Sequence, residues 1–347
     1  MTRNNTTLQP DRHFGWIDYA KTLSIFFVVL LHTYCVGELT AALNSFVMPA
    51  FFFFSGFLFL QERNPDYREF EMKRFRQLVV PYLWINAVAY AAWAVALRHY
   101  GNDAGSGLGW HEPLIAVALG LPPGLVHDIP LWSLLCFFVV ETIYYPLHRL
   151  AKANDMTIAT VFFCAASAVS LIAPDEGVAI PMTLAPAMAG LTFYALGHWV
   201  RAHIDFFERL FSPDVLLLLG GFALFQIGFS FNSPVYFFMG KIGNPVWFLF
   251  SASGGIIMTI QIAAWLSRLL GDGKFIRFLS WGTLLICGFH LMAFALIKGV
   301  MLFGFGIEPE RLTDGILPGL LFAIAGFVLC LPVVWTVGRY LRFLVGK

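Results

Sequence analysis

The chain has 347 residues and a formal net charge of +1; 59% of it is hydrophobic, 17% aromatic and only 12% charged. A soluble domain carries about 25% charged residues, so the composition excludes an ordinary soluble protein and makes lipid the solvent for most of the chain. The near-zero charge argues against nucleic acid as a partner. Five cysteines (Cys35, Cys136, Cys164, Cys287 and Cys330) lie scattered in apolar runs with no CxxC, which frames neither a disulfide set nor a zinc site.

The first fifteen residues are polar and run into an apolar segment with no small-residue cleavage site after it, so that segment reads as a retained helix and not a signal peptide. A membrane span needs about 20 mostly apolar residues. In chain order the candidates are 17–36, 44–61, 78–97, 131–148, 157–173, 181–199, 214–231, 246–267, 279–303 and 315–338. With the N-terminus inside, seventeen of the 22 basic residues fall on inner segments and only Arg98, Lys241 and Arg311 on outer loops. The positive-inside rule then sets both termini in the cytoplasm. The expected fold is therefore an all-α polytopic membrane bundle of about ten transmembrane helices, one domain over 1–347. The piece 113–130, interrupted by Pro122-Pro123-Gly124, reads as a re-entrant or surface element. No internal repeat or phosphate-binding loop stands out.

The first span, WIDYAKTLSIFFVVLLHTYCV over 16–36, carries Asp18, Lys21 and His32. At about 100° per residue the eleven-residue step from Lys21 to His32 is close to three turns, and Asp18 lies one turn before Lys21, so the three form one polar stripe. An ionisable residue inside a membrane helix costs about 2.5–3.5 kcal/mol on insertion scales and marks a functional site by default. Lys21 lies near the start of the segment, where it can snorkel outward, whereas His32 reads as deep in the run. The alternative is that Asp18 and Lys21 anchor the interface and His32 is hydrogen-bonded packing.

The second span ends in Ser55-Gly56-Phe57, small residues that permit close helix packing. Lys73, Arg74 and Arg76 then fall within one turn, ahead of Pro81; Arg binds phosphate through its fork and Lys as a point charge, so this segment suits a phosphate-rich cytoplasmic ligand beside its ordinary anchoring role. Pro130-Leu131-Trp132 opens a span holding Glu141, a costly mid-span carboxylate in need of a partner, and His148 two turns on. His290 sits near the middle of the ninth span, where a buried histidine orients substrate, accepts a proton or caps a backbone carbonyl. The outer loop brings His99, Asp103, Trp110, His111, Glu112, His127 and Asp128. Tryptophan interleaved with polar groups suits a carbohydrate, though solvated loop residues are the default for most of them. Their spacing is not diagnostic of a metal site.

These motifs together resemble the acyltransferase family three membrane proteins, in particular the short sugar O-acetylase type without an extra domain. The resemblance rests on Lys21, ten residues and His32, preceded by Asp18. It continues through MPAFFFFSGFLF (48–59), KRFRQLVVPY (73–82), PLW (130–132), YALGHWVR (194–201) and LSWGTLLICGFH (279–290). It covers essentially the whole chain. Lys21 stands where arginine is common, and CGFH replaces a pattern with tyrosine ahead of the His.

The resemblance implies transfer of an acetyl or similar acyl group from cytoplasmic acyl-CoA, with acetyl-CoA as cosubstrate and no metal, to a hydroxyl of a sugar in a glycan or lipid-linked precursor. His32, Lys21 and Asp18 would form the catalytic set, Lys73, Arg74 and Arg76 would hold CoA, and Ser55, Trp132, Glu141 and His290 would contact substrate. The setting would be a bacterial inner membrane with membrane lipids around the bundle, and a homodimer is left open. A glycan or lipid transporter or flippase is the competing class; a single clear mid-span carboxylate, Glu141, argues against a pump.

Overall fold

The computed structural model describes residues 14–63, 65–100, 107–150, 154–172 and 180–346. Among these the fold is all helical, with one isolated bridge, Tyr236 to Lys241, as its only extended pairing. Seven helices are long and apolar enough to cross a membrane. They are α2 (Gly37–Leu58), α3 (Tyr67–Tyr100), α5 (Ile129–Leu150), α6 (Asp155–Ile172), α9 (Pro245–Leu270), α11 (Thr283–Gly304) and α12 (Ile316–Tyr340). The remaining elements used below are α1 (Gly15–Leu31), α4 (Glu112–Leu119), α7 (Leu184–Ala202), α8 (Val215–Phe231) and α10 (Lys274–Trp281). Leu216, Leu219 and Phe222 on α8 and Leu317, Leu321 and Val328 on α12 are exposed. Such apolar stripes suit a lipid surround.

Helix starts follow from the sequence. Asp66, Asp214 and Asn244 accept backbone N–H groups at the heads of α3, α8 and α9, and Pro245 occupies the first turn of α9. The eight-residue α4 stops at Gly120 in a left-handed conformation (φ 62°), so the 113–130 piece is a short helix followed by a Pro-Pro-Gly turn. Two expected boundaries move. The first helix ends at Leu31 and not at 36, because His32 turns its Nδ1 to the Val28 carbonyl at 2.7 Å and Tyr34 adopts φ 52°. His32 is therefore not deep in the run: it caps the C-terminus of α1. The ninth span is broken at Gly282, whose missing Cβ admits Val334 of α12.

α1 is the central strut, packed by α2, α9, α10, α11 and α12, while α7 joins α2 to α6. Gly56 of α2 and Gly197 of α7 make the second contact possible. A Cβ on either would run into the backbone of Tyr194 or Phe53 across the interface, the close approach that small residues permit between membrane helices.

Candidate active site

A cavity of about 860 Å³ opens between α1, α2, α3, α5, α11 and the 234–238 segment. Lys21, Arg74, Gln77, Trp281 and Val345 line one part of it; His32, Tyr34, Gly37 and Tyr236 line another. Lys21 and His32 are eleven residues apart on one helix, about 16 Å along its axis. The cavity therefore runs along α1 from a basic end to a histidine end.

At the histidine end, His32 faces His290 of α11. The Nε2 of His290 lies 3.3 Å from His32 Nδ1, and the ring centroids are 5.0 Å apart. His290 is fully buried, and its Nδ1 lies 3.0 Å from the Ile286 carbonyl. A carbonyl only accepts, so Nδ1 of each ring is the protonated nitrogen. The His32 Nδ1–H is then shared between the Val28 carbonyl and the His290 Nε2 lone pair. That tautomer leaves His32 Nε2 with its lone pair, the form a general base or nucleophile needs. His32 lines the cavity and His290 stands behind it. Cys287, one turn before His290, and Ser133 and Trp132 of α5 form the adjoining wall, with Ser133 Oγ on the Pro130 carbonyl at 2.8 Å.

At the basic end, Arg74 Nε makes an ion pair with Glu141 Oε2 at 2.8 Å. Ser55 donates to Glu141 Oε1 at 3.1 Å, Arg74 Nη1 donates to Gln77 Oε1 at 3.0 Å, and the guanidinium lies over the Phe70 ring at 5.4 Å. The costly carboxylate of α5 thus finds its partner on α3, and Ser55 is a polar contact as well as a neighbour of the packing glycine. Arg74 sits where α3 loosens into a π turn, Phe75–Val79. Pro81 has no N–H for the Gln77 carbonyl four residues back, which is the sort of gap a π turn accommodates. Lys73 and Arg76 lie on the exposed side of this turn.

The sequence-expected residues therefore separate. Lys21, His32, Ser55, Arg74, Trp132 and Glu141 line one cavity; Asp18 is buried in α1 without lining it, His290 stands behind His32, and Lys73 and Arg76 are exposed and outside the lining. In the outer loop, Asp103 lies outside the described residues. His127 and Asp128 are not solvated: both are buried, His127 Nε2 meeting Asn86 Oδ1 at 2.8 Å, because the chain after α4 folds back against α3. His148 is drawn away from Glu141 into a cluster with Asp155 and His198, three residues from three helices with no shared sequence motif. Tyr194 and Arg201 of the YALGHWVR stretch pack on aromatic rings, Tyr194 on Tyr144 at 4.8 Å and Arg201 over Phe14 at 4.3 Å.

The described residues thus form a bundle of helices able to cross a membrane around an internal cavity, with His32 at one end and the Arg74–Glu141 pair at the other. The sequence profile of acyltransferase family 3, described as an acyltransferase domain, matches residues 14–339, nearly the whole chain. The chain belongs to that family and is a membrane acyltransferase. No curated protein and no solved structure matches it.

Proposed function

We propose that this acyltransferase moves an acetyl or similar acyl group from cytoplasmic acyl-CoA to a hydroxyl of a sugar in a glycan or lipid-linked precursor, with His32 as the catalytic residue. The observation that carries the reading is the pair His32–His290 at one end of a cavity whose other end is basic. The bundle crosses the membrane ten times with both termini in the cytoplasm. That puts Lys21, Lys73, Arg74 and Arg76 on the cytoplasmic side, and the histidine pair toward the outer face.

In this reading the CoA phosphates meet Lys73 and Arg76 at the surface. Arg74, partly neutralised by Glu141, holds the mouth of the cavity open in a fixed shape. The pantetheine arm lies along α1 past Lys21 and delivers the thioester toward His32. His32 Nε2 takes the proton of the acceptor hydroxyl as its oxygen attacks the thioester carbon. The C–S bond then breaks and the thiolate leaves, collecting that proton from the imidazolium. His290 Nε2 accepts the His32 Nδ1–H and stabilises the ring as it becomes cationic. In the alternative order, Nε2 attacks the thioester itself and the acyl-imidazole passes the group to the hydroxyl. Trp132 and Tyr236 give the acceptor aromatic faces beside the base, suited to the apolar faces of a sugar.

Radiolabelled acetyl-CoA supplied to the protein in nanodiscs with a membrane glycan extract tests the reading. Wild type moves label into glycan and His32→Ala does not, while the variant still binds CoA and keeps its melting temperature. Equal transfer by both proteins would remove His32 from the chemistry, and absence of CoA binding by wild type would overturn the function.

A further inference from the structure

A second pair of histidines meets where α5, α6 and α7 come together, and none of its members lines the cavity. His148 Nδ1 lies 2.9 Å from Asp155 Oδ1, and His198 Nδ1 lies 2.9 Å from Asp155 Oδ2. Tyr144 Oη is 2.6 Å from Asp155 Oδ1 and 2.9 Å from His198 Nδ1. All four residues are buried, and the Phe59 ring closes the group edge-on. The two imidazoles stand at 87° with centroids 4.6 Å apart, and one donor atom from each of His148, Asp155 and His198 falls within 4.8 Å of the others.

Two arrangements of hydrogens fit these contacts. With a carboxylate and two neutral imidazoles there are four short contacts and three hydrogens, one on Tyr144 and one on each Nδ1. When each is directed at the carboxylate, the Tyr144–His198 contact is met only if the His198 Nδ1–H is shared between Tyr144 Oη and Asp155 Oδ2. A cation satisfies the same groups without sharing, by replacing both Nδ1 hydrogens among donor atoms that already lie together. Each imidazole then carries its proton on Nε2 and presents a lone pair at Nδ1, next to a carboxylate oxygen, while the Tyr144 hydroxyl keeps its hydrogen bond to Asp155 and orients it. Adjacent ligands of a tetrahedral ion with bonds of about 2.0 Å lie about 3.3 Å apart, a few tenths of an ångström wider than the two imidazole–carboxylate contacts, and the whole donor set lies within 4.8 Å. Two imidazoles and a carboxylate suit zinc or a similar borderline divalent ion.

We propose that His148, Asp155 and His198 bind one divalent transition-metal ion of the zinc type, which ties α5, α6 and α7 together. The site is independent of the acyl-transfer reading. It is structural: His148 lies two turns from Glu141 on α5, so the ion fixes the helix that carries the Arg74 partner.

The test uses the full chain in detergent, purified through a tag without histidines. Elemental analysis of wild type is expected to give close to one zinc-type ion per chain, with His148→Ala and Asp155→Asn losing it. Chelator-treated wild type is expected to melt several degrees lower and to recover when zinc is added back. The wild-type titration decides the matter even where the variants do not fold. Metal well below stoichiometric amounts, with no melting shift on adding zinc, would overturn the proposal in favour of a hydrogen-bonded cluster. So would metal retained at wild-type level by both variants.

Discussion

The molecule holds two histidine pairs, and they are built in opposite ways. His32 and His290 rest on backbone carbonyls, with no carboxylate hydrogen-bonded to them among the described residues, and His32 borders open space. His148 and His198 are each fixed to the same carboxylate, are crossed by Tyr144 and are sealed under Phe59. A ring held only by a neutral carbonyl keeps one nitrogen for chemistry; a ring clamped to a buried carboxylate has its nitrogen committed. Buried imidazoles are common to both regions, so burial does not distinguish a reacting histidine from a bracing one. The company of the ring and the space beside it do.

That contrast can be broken at several points. The largest effect on folding is expected at the charge pair: Glu141→Leu leaves Arg74, 28% exposed, without its carboxylate. Losing one partner of a fully buried pair costs about 3–5 kcal/mol, and the half-buried Arg74 sets the expected loss at or below the low end of that range. A double-mutant cycle with Arg74→Met measures the coupling by thermal melting, and a double variant as unstable as the sum of the two single ones would mean the pair does not interact. Gly56→Ala pushes a methyl into the Tyr194 backbone across the α2–α7 contact, with an expected loss of about 1–3 kcal/mol. A variant that melts with wild type would show that the helices can separate freely there.

His290→Phe keeps ring volume but removes the Nε2 acceptor. Its expected effect is about a tenfold fall in kcat, with KM for acyl-CoA unchanged, since a positioned proton-accepting group is worth at least that much. A change in KM alone would move His290 out of the proton path and into binding.

The smallest effect is at Asp214, whose carboxyl is held below the usual carboxylate range by its hydrogen bond from Arg209 and by the backbone N–H groups heading α8. A depressed folded-state pKa stabilises above the unfolded value and is lost as pH falls through the folded one. Acidifying through the carboxylate range should therefore lower the melting temperature slightly more for wild type than for Asp214→Asn.

Much of this was legible in the chain. The apolar segments marked the membrane helices, and the ordered motifs marked the family. Lys21, His32 and Glu141 stood out because ionisable groups in lipid-facing sequence need a reason. What the sequence withheld was pairing across helices. Nothing local says that Glu141 seeks Arg74 and not His148, or that His290 lies behind His32, since those contacts close over 67 and 258 positions of chain. The place of His32 was misjudged for a simple reason: hydropathy continues smoothly to Val36, while the helix is ended by side-chain capping at Val28 and a left-handed Tyr34, neither of which periodicity registers.

The most direct test of the central claim is chemical rescue of His32→Gly by free imidazole, in nanodiscs, with His148→Gly as the control. The cavity of about 860 Å³ has room for the missing ring. The account predicts that His32→Gly is inactive, that added imidazole restores acyl transfer in a saturable way, and that His148→Gly gains nothing from it. Wild-type turnover by His32→Gly without imidazole would contradict the account outright.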